Sequence, residues 1–189
     1  AVAERLERTI EWHHGIAESL PFADQTFDAV VSQFALMFFS DKRKALLEML
    51  RVLLPGGNLA VAVWDSLDNN PAYARGVELL QQNAGTPAAD ALRAPFVLGD
   101  RKKLSTLFSE AGMPSAKITT HRGTGNFPNI QTMIEAELRG WLPVMGVILT
   151  EDQISRILEE AEHALKSYVT KDGTVAFPLS VQLVTAKKT

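Results

Sequence analysis

Residues that could carry chemistry stand at the ends of three segments of this chain whose composition is typical of strands. Residues 15–18 follow the first segment, Ser32 and Gln33 end the second, and Trp64 ends the third. In an open parallel sheet, ligands bind outside the carboxyl ends of the strands. If the three segments are parallel strands, these residues form the candidate ligand site.

The chemistry open to these residues is hydrogen bonding to a small ligand. Backbone N–H groups near Ala17 could bind a flat heterocycle, and the Glu18 carboxylate could accept a hydrogen bond from an amine or a hydroxyl. The alternatives are that Glu18 caps a helix and that Gln33 lies in a solvated turn. Spacing alone favours these alternatives.

The sequence excludes several other kinds of site. The chain has no cysteine, which removes disulfides, thiolate zinc sites, iron–sulfur clusters and a cysteine nucleophile. It also lacks the glycine-rich nucleotide motifs, the nucleophile elbow and the zinc-protease motif. His13 and His14 are adjacent on a predicted strand and point to opposite faces, so they cannot share a metal. We therefore predict no metal site.

Charge and hydropathy narrow the range of partners. The 189 residues carry 19 Lys and Arg against 22 Asp and Glu, for a net charge of −3. This balance gives no electrostatic reason to expect nucleic acid or an anionic membrane as a partner. No segment reaches the ~18 consecutive apolar residues of a membrane helix, and the charged first residues do not resemble a signal peptide. We expect a cytoplasmic protein.

The first half of the chain alternates between strand and helix patterns. Residues 27–32 and 59–64 are short apolar runs without polar alternation, as strands of a parallel sheet covered on both faces require. Between them lies an amphipathic helix that Asp41 can cap and that the Pro-Gly-Gly sequence at residues 55–57 ends. This strand–helix–strand unit predicts an α/β fold with a doubly wound, mostly parallel sheet.

The other segments are mostly helical in pattern. The further predicted elements are a helix end at 2–8, strands at 9–14, 115–121 and 173–186, and helices at 70–84, 100–111, 129–141 and 151–168. Thr150 and Gln153 form a capping box before the last helix. Residues 86–95 are predicted to be a mobile connection, and residues 123–125 a turn.

Four sequence blocks within residues 10–66 carry a family resemblance. They are GIAESLPF at 15–22, TFDAVV at 26–31, LMFFSD at 36–41 and EMLRVLLPGG at 48–57. In order and spacing they resemble the class I S-adenosylmethionine-dependent methyltransferases, specifically the ubiquinone/menaquinone-biosynthesis-like group (methyltransferase type 11). The resemblance implies a Rossmann-like fold, S-adenosylmethionine as the cofactor, and methyl transfer to a small-molecule acceptor.

The resemblance also implies a role for individual residues. It assigns to the cofactor Gly15, Ile16, Ala17, Glu18, Ser32 and Gln33, and to the substrate Met37, Phe38 and Trp64. The alternative for the apolar residues of this set is packing in the core. Family members usually carry Asp where this chain has Ile16. Loss of that carboxylate removes an acceptor for the adenine amino group, which is worth about 1 kcal/mol.

One departure from the family concerns the start of the sheet. The family begins with a strand, a glycine-rich loop, a helix and a second strand that ends in an acidic residue, and these are not found in this sequence. The implied sheet order is 3-2-1-4-5-7-6, so the loss of strands 1 and 2 leaves a gap of ~14 Å beside strand 4. Three explanations stay open: the sequence is N-terminally incomplete, residues 1–20 repack, or a second chain fills the gap.

This departure supports a second functional hypothesis. A bare strand edge invites pairing with another chain, so the protein could be a non-catalytic methyltransferase-like relic or a partner-dependent association module, with homo-oligomers formed through the exposed edge. A nicotinamide-dependent oxidoreductase shares the doubly wound sheet but not the four blocks.

We expect a single domain over residues 1–189, with helical cap elements at 67–95 and 128–170. Trp141, Leu142, Met145 and Phe127 in or beside the cap predict a small, partly apolar acceptor. No catalytic base is assigned from the sequence.

Overall fold

The computed structural model describes residues 9–189 and is built on one four-stranded sheet. The strands are β1 (Phe27–Gln33), β2 (Leu53–Trp64), β3 (Lys117–Phe127) and β4 (Val175–Lys187), in the order β1-β2-β4-β3. β1 and β2 are parallel neighbours, whereas β4 is antiparallel to both β2 and β3. The α/β class is confirmed, and the sheet is mixed because β4 runs against its neighbours.

Helices lie between consecutive strands along the chain. They are α1 (Lys42–Val52), α2 (Pro71–Asn83), α3 (Thr86–Arg93), α4 (Arg101–Glu110), α5 (Ile130–Glu135), α6 (Leu142–Val144) and α7 (Glu151–Ala164). A π-helical turn (Ala136–Trp141) joins α5 to α6. Short 3-10 turns lie at Leu36–Phe38, Leu67–Asn69, Ala94–Phe96 and Lys166–Tyr168. Within the described residues, no helix is both long and apolar enough to cross a lipid bilayer.

The β1–α1–β2 unit forms in the predicted order, but α1 ends three residues before the Pro-Gly-Gly sequence at residues 55–57, which lies inside β2. The Asp41 carboxylate caps α1 by accepting a hydrogen bond of 2.8 Å from the Lys44 N–H. The helix ends at Val52 and β2 begins at once, with Gly56 at φ +79°, a backbone conformation that favours glycine. Gly57 lies close to β1, because a Cβ there would stand 3.0 Å from the Asp28 carbonyl oxygen. The central prediction of two adjacent parallel strands is therefore confirmed.

Two hydrophobic clusters share the sheet. The sheet cluster packs α1 and α4 against β1 and β2, with Leu46 and Phe108 among its fully buried members. The helical cluster joins α2, α3, α5, α6 and α7, and β4 contributes Val175 and Phe177 to it. The ranges predicted as cap elements contain these helices; their assignment as a cap on a single domain remains a prediction.

Some predicted elements differ in the structure. Residues 9–14 form no strand, so this prediction is wrong; no strand within residues 9–189 pairs with the outer edge of β1, and a strand needs a partner for its backbone groups. Residues 86–95 hold α3 instead of a mobile connection. Residues 123–125 lie inside β3 and are not a turn, because Gly125 leaves room for the ring of Phe177 on the next strand. The helix end predicted at residues 2–8 lies outside the described residues.

Candidate active site

An aromatic cleft opens at the carboxyl ends of the parallel strands β1 and β2. Phe34 directly follows β1 and Trp64 ends β2; their rings stack with centroids 4.5 Å apart and planes at 18°. The cleft has a volume of about 310 Å³. Its lining residues are Phe34, Phe38, Trp64, Tyr73, Leu92, Pro95, Phe96, Ala136, Glu137 and Trp141. We call it the aromatic cleft below.

The backbone at Phe34 turns the chain sharply out of the sheet. Phe34 has φ +53°, which few residues other than glycine adopt. Its N–H nevertheless donates to the Ala62 carbonyl at 3.0 Å, so the turn is tied to β2. Strained backbone of this kind occurs most often at functional sites.

The helical cluster supplies the other wall of the aromatic cleft. Tyr73 comes from α2, Phe96 from the 3-10 turn after α3, and Trp141 from the π-helical turn. The Trp141 Nε1–H donates to the Ala91 carbonyl at 2.8 Å, which fixes the ring, and Phe38 packs against it with centroids 5.4 Å apart. π-helical turns are rare and are frequent at functional sites.

Glu137 is the one carboxylate that lines the aromatic cleft. Of the hydrogen bonds and ion pairs formed within residues 9–189, none involves its side chain. Burial raises the pKa of Glu137 to about 7, because the charged form loses hydration without gaining a partner. Burial, and secondarily the charge of Glu137, raises the pKa of Tyr73 to about 12. The cleft thus combines aromatic surface with one titratable acid and one neutral phenol.

The aromatic cleft includes two of the three residues assigned to substrate. Phe38 and Trp64 both line it. Met37 is only 4% exposed and packs in the sheet cluster. Met37 does not line the aromatic cleft, and its direct contact with substrate remains a prediction.

The turn assigned to the cofactor forms a separate depression. Gly15, Ile16 and Ala17 line a space of about 370 Å³ beside Phe22. The Ile16 carbonyl accepts a hydrogen bond of 3.1 Å from the Ser19 N–H, and the Ile16 side chain is 63% exposed. Among the hydrogen bonds of the described residues, none uses the Ala17 N–H. A ligand contact through the Ala17 N–H remains a prediction.

Glu18 joins the same turn to α1. Its carboxylate accepts a hydrogen bond of 3.1 Å from the Asp41 N–H. This bond holds the pKa of Glu18 below its ordinary value. Glu18 thus binds the N-terminal end of α1, as the helix-capping alternative predicts. A contact between Glu18 and the cofactor remains a prediction.

The end of β1 carries the other two residues assigned to the cofactor. Ser32 is 6% exposed, and its buried hydroxyl has no hydrogen-bond partner among the described residues. Gln33 is exposed. Buried polar atoms without a partner are rare in native proteins, so the Ser32 hydroxyl is a candidate for ligand binding.

A buried polar network holds the end of β2 in place. Asp65 is 4% exposed, and it accepts hydrogen bonds from the Ser180 hydroxyl at 2.7 Å and the Gln182 amide at 2.9 Å. Burial alone would raise the pKa of Asp65, but these bonds and those from Ser66 and Asn69 hold it below its ordinary value. Because Asp65 adjoins Trp64, the network also fixes one wall of the aromatic cleft.

Sequence reasoning missed Glu137, Tyr73 and Phe96. They lie far apart along the chain and meet only through tertiary packing. One signal was present for Glu137: it stands three and four residues after Ile134 and Met133, which are buried, and so lies on the apolar face of its predicted helix.

The strand order and the position of the cleft define the fold class. The order β1-β2-β4-β3 corresponds to strands 4-5-7-6 of the implied family order, with the cleft at the carboxyl ends of the parallel pair. This is the fold of the class I methyltransferases, without a described counterpart of strands 1 to 3.

Sequence comparisons agree with this class. Residues 1–61 match the family model described as a methyltransferase domain. Demethylmenaquinone methyltransferase of Renibacterium salmoninarum is 49% identical over 61 residues, which cover 32% of this chain and 26% of that protein. The ubiquinone/menaquinone biosynthesis C-methyltransferase UbiE of Cronobacter sakazakii is 34% identical over 137 residues, which cover 60% of this chain and 53% of that protein. The chain spans about half or less of the length of these relatives.

Solved structures show the same fold. The YcgJ protein of Bacillus subtilis aligns with a TM-score of 0.56 at 19% identity, covering 99% of this chain and 75% of that one. A protein of Anabaena variabilis, named as a methyltransferase from an antibiotic biosynthesis pathway, aligns with a TM-score of 0.59 at 17% identity, covering 97% and 78%. The resemblance to the class I methyltransferases is thereby confirmed.

Proposed function

We propose that this chain takes part in S-adenosylmethionine-dependent methyl transfer to a small, partly apolar acceptor held in the aromatic cleft. The observation that carries the proposal is the position of the cleft at the carboxyl ends of β1 and β2, where open α/β sheets bind their ligands. The curated relatives support the same activity, since their names describe methyl transfer in quinone biosynthesis.

The residues described at the cofactor side fit a nucleoside with a charged amino-acid tail. The Ala17 N–H would bind the adenine edge, and the Ser32 hydroxyl and Gln33 would bind the methionine part; neither the N–H nor the hydroxyl has a hydrogen-bond partner among the described residues. S-adenosylmethionine, when bound, supplies the methyl group on a positively charged sulfur. Ile16 offers no carboxylate to the adenine amino group, so the backbone carries more of that recognition.

The protein's own contribution is positioning and the exclusion of water. The aromatic rings of the cleft can hold a flat acceptor in one orientation, and their apolar surface keeps bulk water from the reacting atoms. The rings of Phe34 and Trp64 come from the carboxyl ends of β1 and β2, whereas Tyr73 lies on α2 and Trp141 on the π-helical turn. The names of the curated relatives support a ring compound of the quinone or quinol type as the acceptor.

Calorimetric titration of the full chain with S-adenosylmethionine tests the proposal. We expect micromolar binding, and Ser32→Ala should weaken it about fivefold, since a neutral hydrogen bond contributes about 1 kcal/mol. The same substitution should slightly raise thermal stability, because it removes a buried hydroxyl that has no partner. Ser105→Ala, at an exposed position on α4, serves as the control. Absence of binding by the unchanged chain would contradict the proposal.

The open edge of β1 favours one further candidate function, which is association with another chain. No strand within the described range covers this edge, and Val31 on it is 72% exposed. We propose that a second copy pairs here, either within an active enzyme or in a non-catalytic association module.

The net charge of −3 gives no support for nucleic acid or an anionic membrane as a partner. We propose the cytoplasm as the location of the protein.

Val31→Lys tests this association. A charge on an exposed edge strand opposes edge-to-edge pairing, so we expect the variant to sediment as a monomer at concentrations where the unchanged chain dimerises. Val144→Lys, at another exposed valine, should leave the sedimentation profile unchanged. A chain that is monomeric throughout, or a dimer that is insensitive to Val31→Lys, would refute the edge as the interface.

A further inference from the structure

We propose that the acceptor presents a hydroxyl group on an aromatic ring to Glu137, and that the Glu137 carboxylate accepts the proton of that hydroxyl. This inference rests on the proposed function and names the substrate class and the proton acceptor for it. Glu137 lines the aromatic cleft together with Phe38 and Trp64, so it faces the space in which an acceptor would lie.

The π-helical turn explains how a carboxylate comes to face an apolar space. Glu137 and Trp141 both belong to this turn and both line the aromatic cleft. The Trp141 ring is fixed by its hydrogen bond to the Ala91 carbonyl. The turn is thereby anchored, and Glu137 stays on the cleft side.

Within residues 9–189, the charged groups near Glu137 leave its carboxylate without an ionic partner. Arg139, on the same turn, pairs with Glu151 at 2.7 Å. Glu135 precedes Glu137 by two residues, and it does not line the cleft. From α2, Tyr73 faces the cleft and stays neutral, since burial raises its pKa to about 12. The lining residues from β1, β2, α3 and the 3-10 turns carry no charge.

Glu137 is half-buried, and a carboxylate removed from part of its hydration without an ionic partner among the described residues is costly, so its position in a cleft indicates a function. Burial raises the pKa of Glu137 to about 7, so near neutral pH both protonation states are populated. A group of this kind can accept a proton during the reaction and release it to water afterwards. The geometry of the cleft and the titration of Glu137 thus agree.

The ring arrangement favours a neutral hydroxyl over a cation. An ammonium ligand needs open aromatic faces around it, but Phe34 and Trp64 stack face to face. Phe96 and Tyr73 lie tilted near Trp64, with ring centroids 6.1 Å and 6.5 Å from it. The rings therefore pack on one another, and the faces that Phe34 and Trp64 turn toward each other are closed to a cation.

The proposed step is a single proton transfer. The O–H bond of the acceptor breaks, its proton moves to a Glu137 carboxylate oxygen, and the electron pair remains on the acceptor oxygen. The resulting oxyanion is more electron-rich than the hydroxyl and so reacts more readily with a methyl group carried on positively charged sulfur.

Binding of two matched probes tests the inference without any methyl transfer. 1-Naphthol carries a ring hydroxyl, and 1-methoxynaphthalene has the same ring without a donor. By calorimetry on the full chain we expect 1-naphthol to bind about tenfold more tightly at about pH 8, because Glu137 is then ionised and accepts a charge-assisted hydrogen bond. At about pH 5.5, where Glu137 is protonated, the preference should fall to about twofold.

Variants on the same helical segment separate this role from a structural one. Glu137→Gln should reduce the preference for 1-naphthol to about twofold at both pH values, whereas Glu135→Gln should leave it unchanged. Equal binding of the two probes by the unchanged chain, failure of both to bind, or tighter binding of naphthylmethylammonium than of 1-naphthol would each overturn the inference. A failure of the proposed function appears separately, as the absence of S-adenosylmethionine binding.

Discussion

Replacing Asp65 with alanine is expected to lower the free energy of unfolding by about 3–5 kcal/mol. The substitution removes the acceptor of four hydrogen bonds, from Ser66, Asn69, Ser180 and Gln182. The Ser180 hydroxyl and the Gln182 amide are buried, so their lost bonds are not replaced by water. Urea denaturation followed by circular dichroism measures the change.

Asp68→Ala provides the matched control for this prediction. Asp68 lies three residues further along the chain in an exposed position, and we expect a change of less than about 0.5 kcal/mol. If Asp65→Ala were as mild as Asp68→Ala, the buried network would not be a major source of stability.

Acid should act on the same network. The pKa of Asp65 in the folded protein lies below its ordinary value, so its contribution to stability is fully present above the unfolded pKa of about 3.9. This contribution is lost as the pH falls through the lower, folded value. We therefore expect the difference between the unchanged chain and Asp65→Ala to narrow at strongly acidic pH.

Glu137→Gln is expected to stabilise the protein by about 2 kcal/mol at about pH 8. Burial raises the pKa of Glu137 from 4.5 to about 7, so its ionisation opposes folding. The Glu137 carboxyl group therefore destabilises the unchanged chain least below about pH 4.5. The free energy of unfolding of this chain falls as the pH rises from there to about 7. Thermal unfolding of both proteins across this range measures the effect.

The sign of the Glu137 prediction distinguishes it from a structural role. A glutamate that stabilised the fold through an ion pair would make Glu137→Gln less stable at neutral pH. Glu151→Gln offers this contrast, because Glu151 pairs with Arg139 on the surface and its loss is expected to destabilise the protein only slightly. If the stability of Glu137→Gln and of the unchanged chain had the same dependence on pH, the titration assigned to Glu137 would be wrong.

The parts of the fold that the sequence predicts are those encoded locally. The apolar runs of β1 and β2 and the Asp41 cap between them give the parallel unit. The Thr150 and Gln153 capping box starts α7 as expected. The strand predicted at residues 9–14 fails because a strand depends on a distant partner as well as on its own residues.

The candidate site can likewise be predicted where it is encoded locally, and not where it depends on tertiary packing. Phe38 and Trp64 lie near the ends of β1 and β2, so their meeting in the aromatic cleft could be predicted from the parallel unit. Tyr73, Phe96 and Glu137 come from separate helical segments, and their convergence depends on how the helical cluster packs. The buried environment that changes the pKa of Glu137 exists only after that packing.

The long strand β4 contributes to both hydrophobic clusters. Val175 and Phe177 near its start belong to the helical cluster, and Val184 near its end belongs to the sheet cluster. The backbone of β4 therefore connects the helical cluster to the sheet cluster. Because both clusters pack against this one strand, we expect them to unfold together, so that a substitution at the wall of the cleft also lowers the stability of the far end of the sheet.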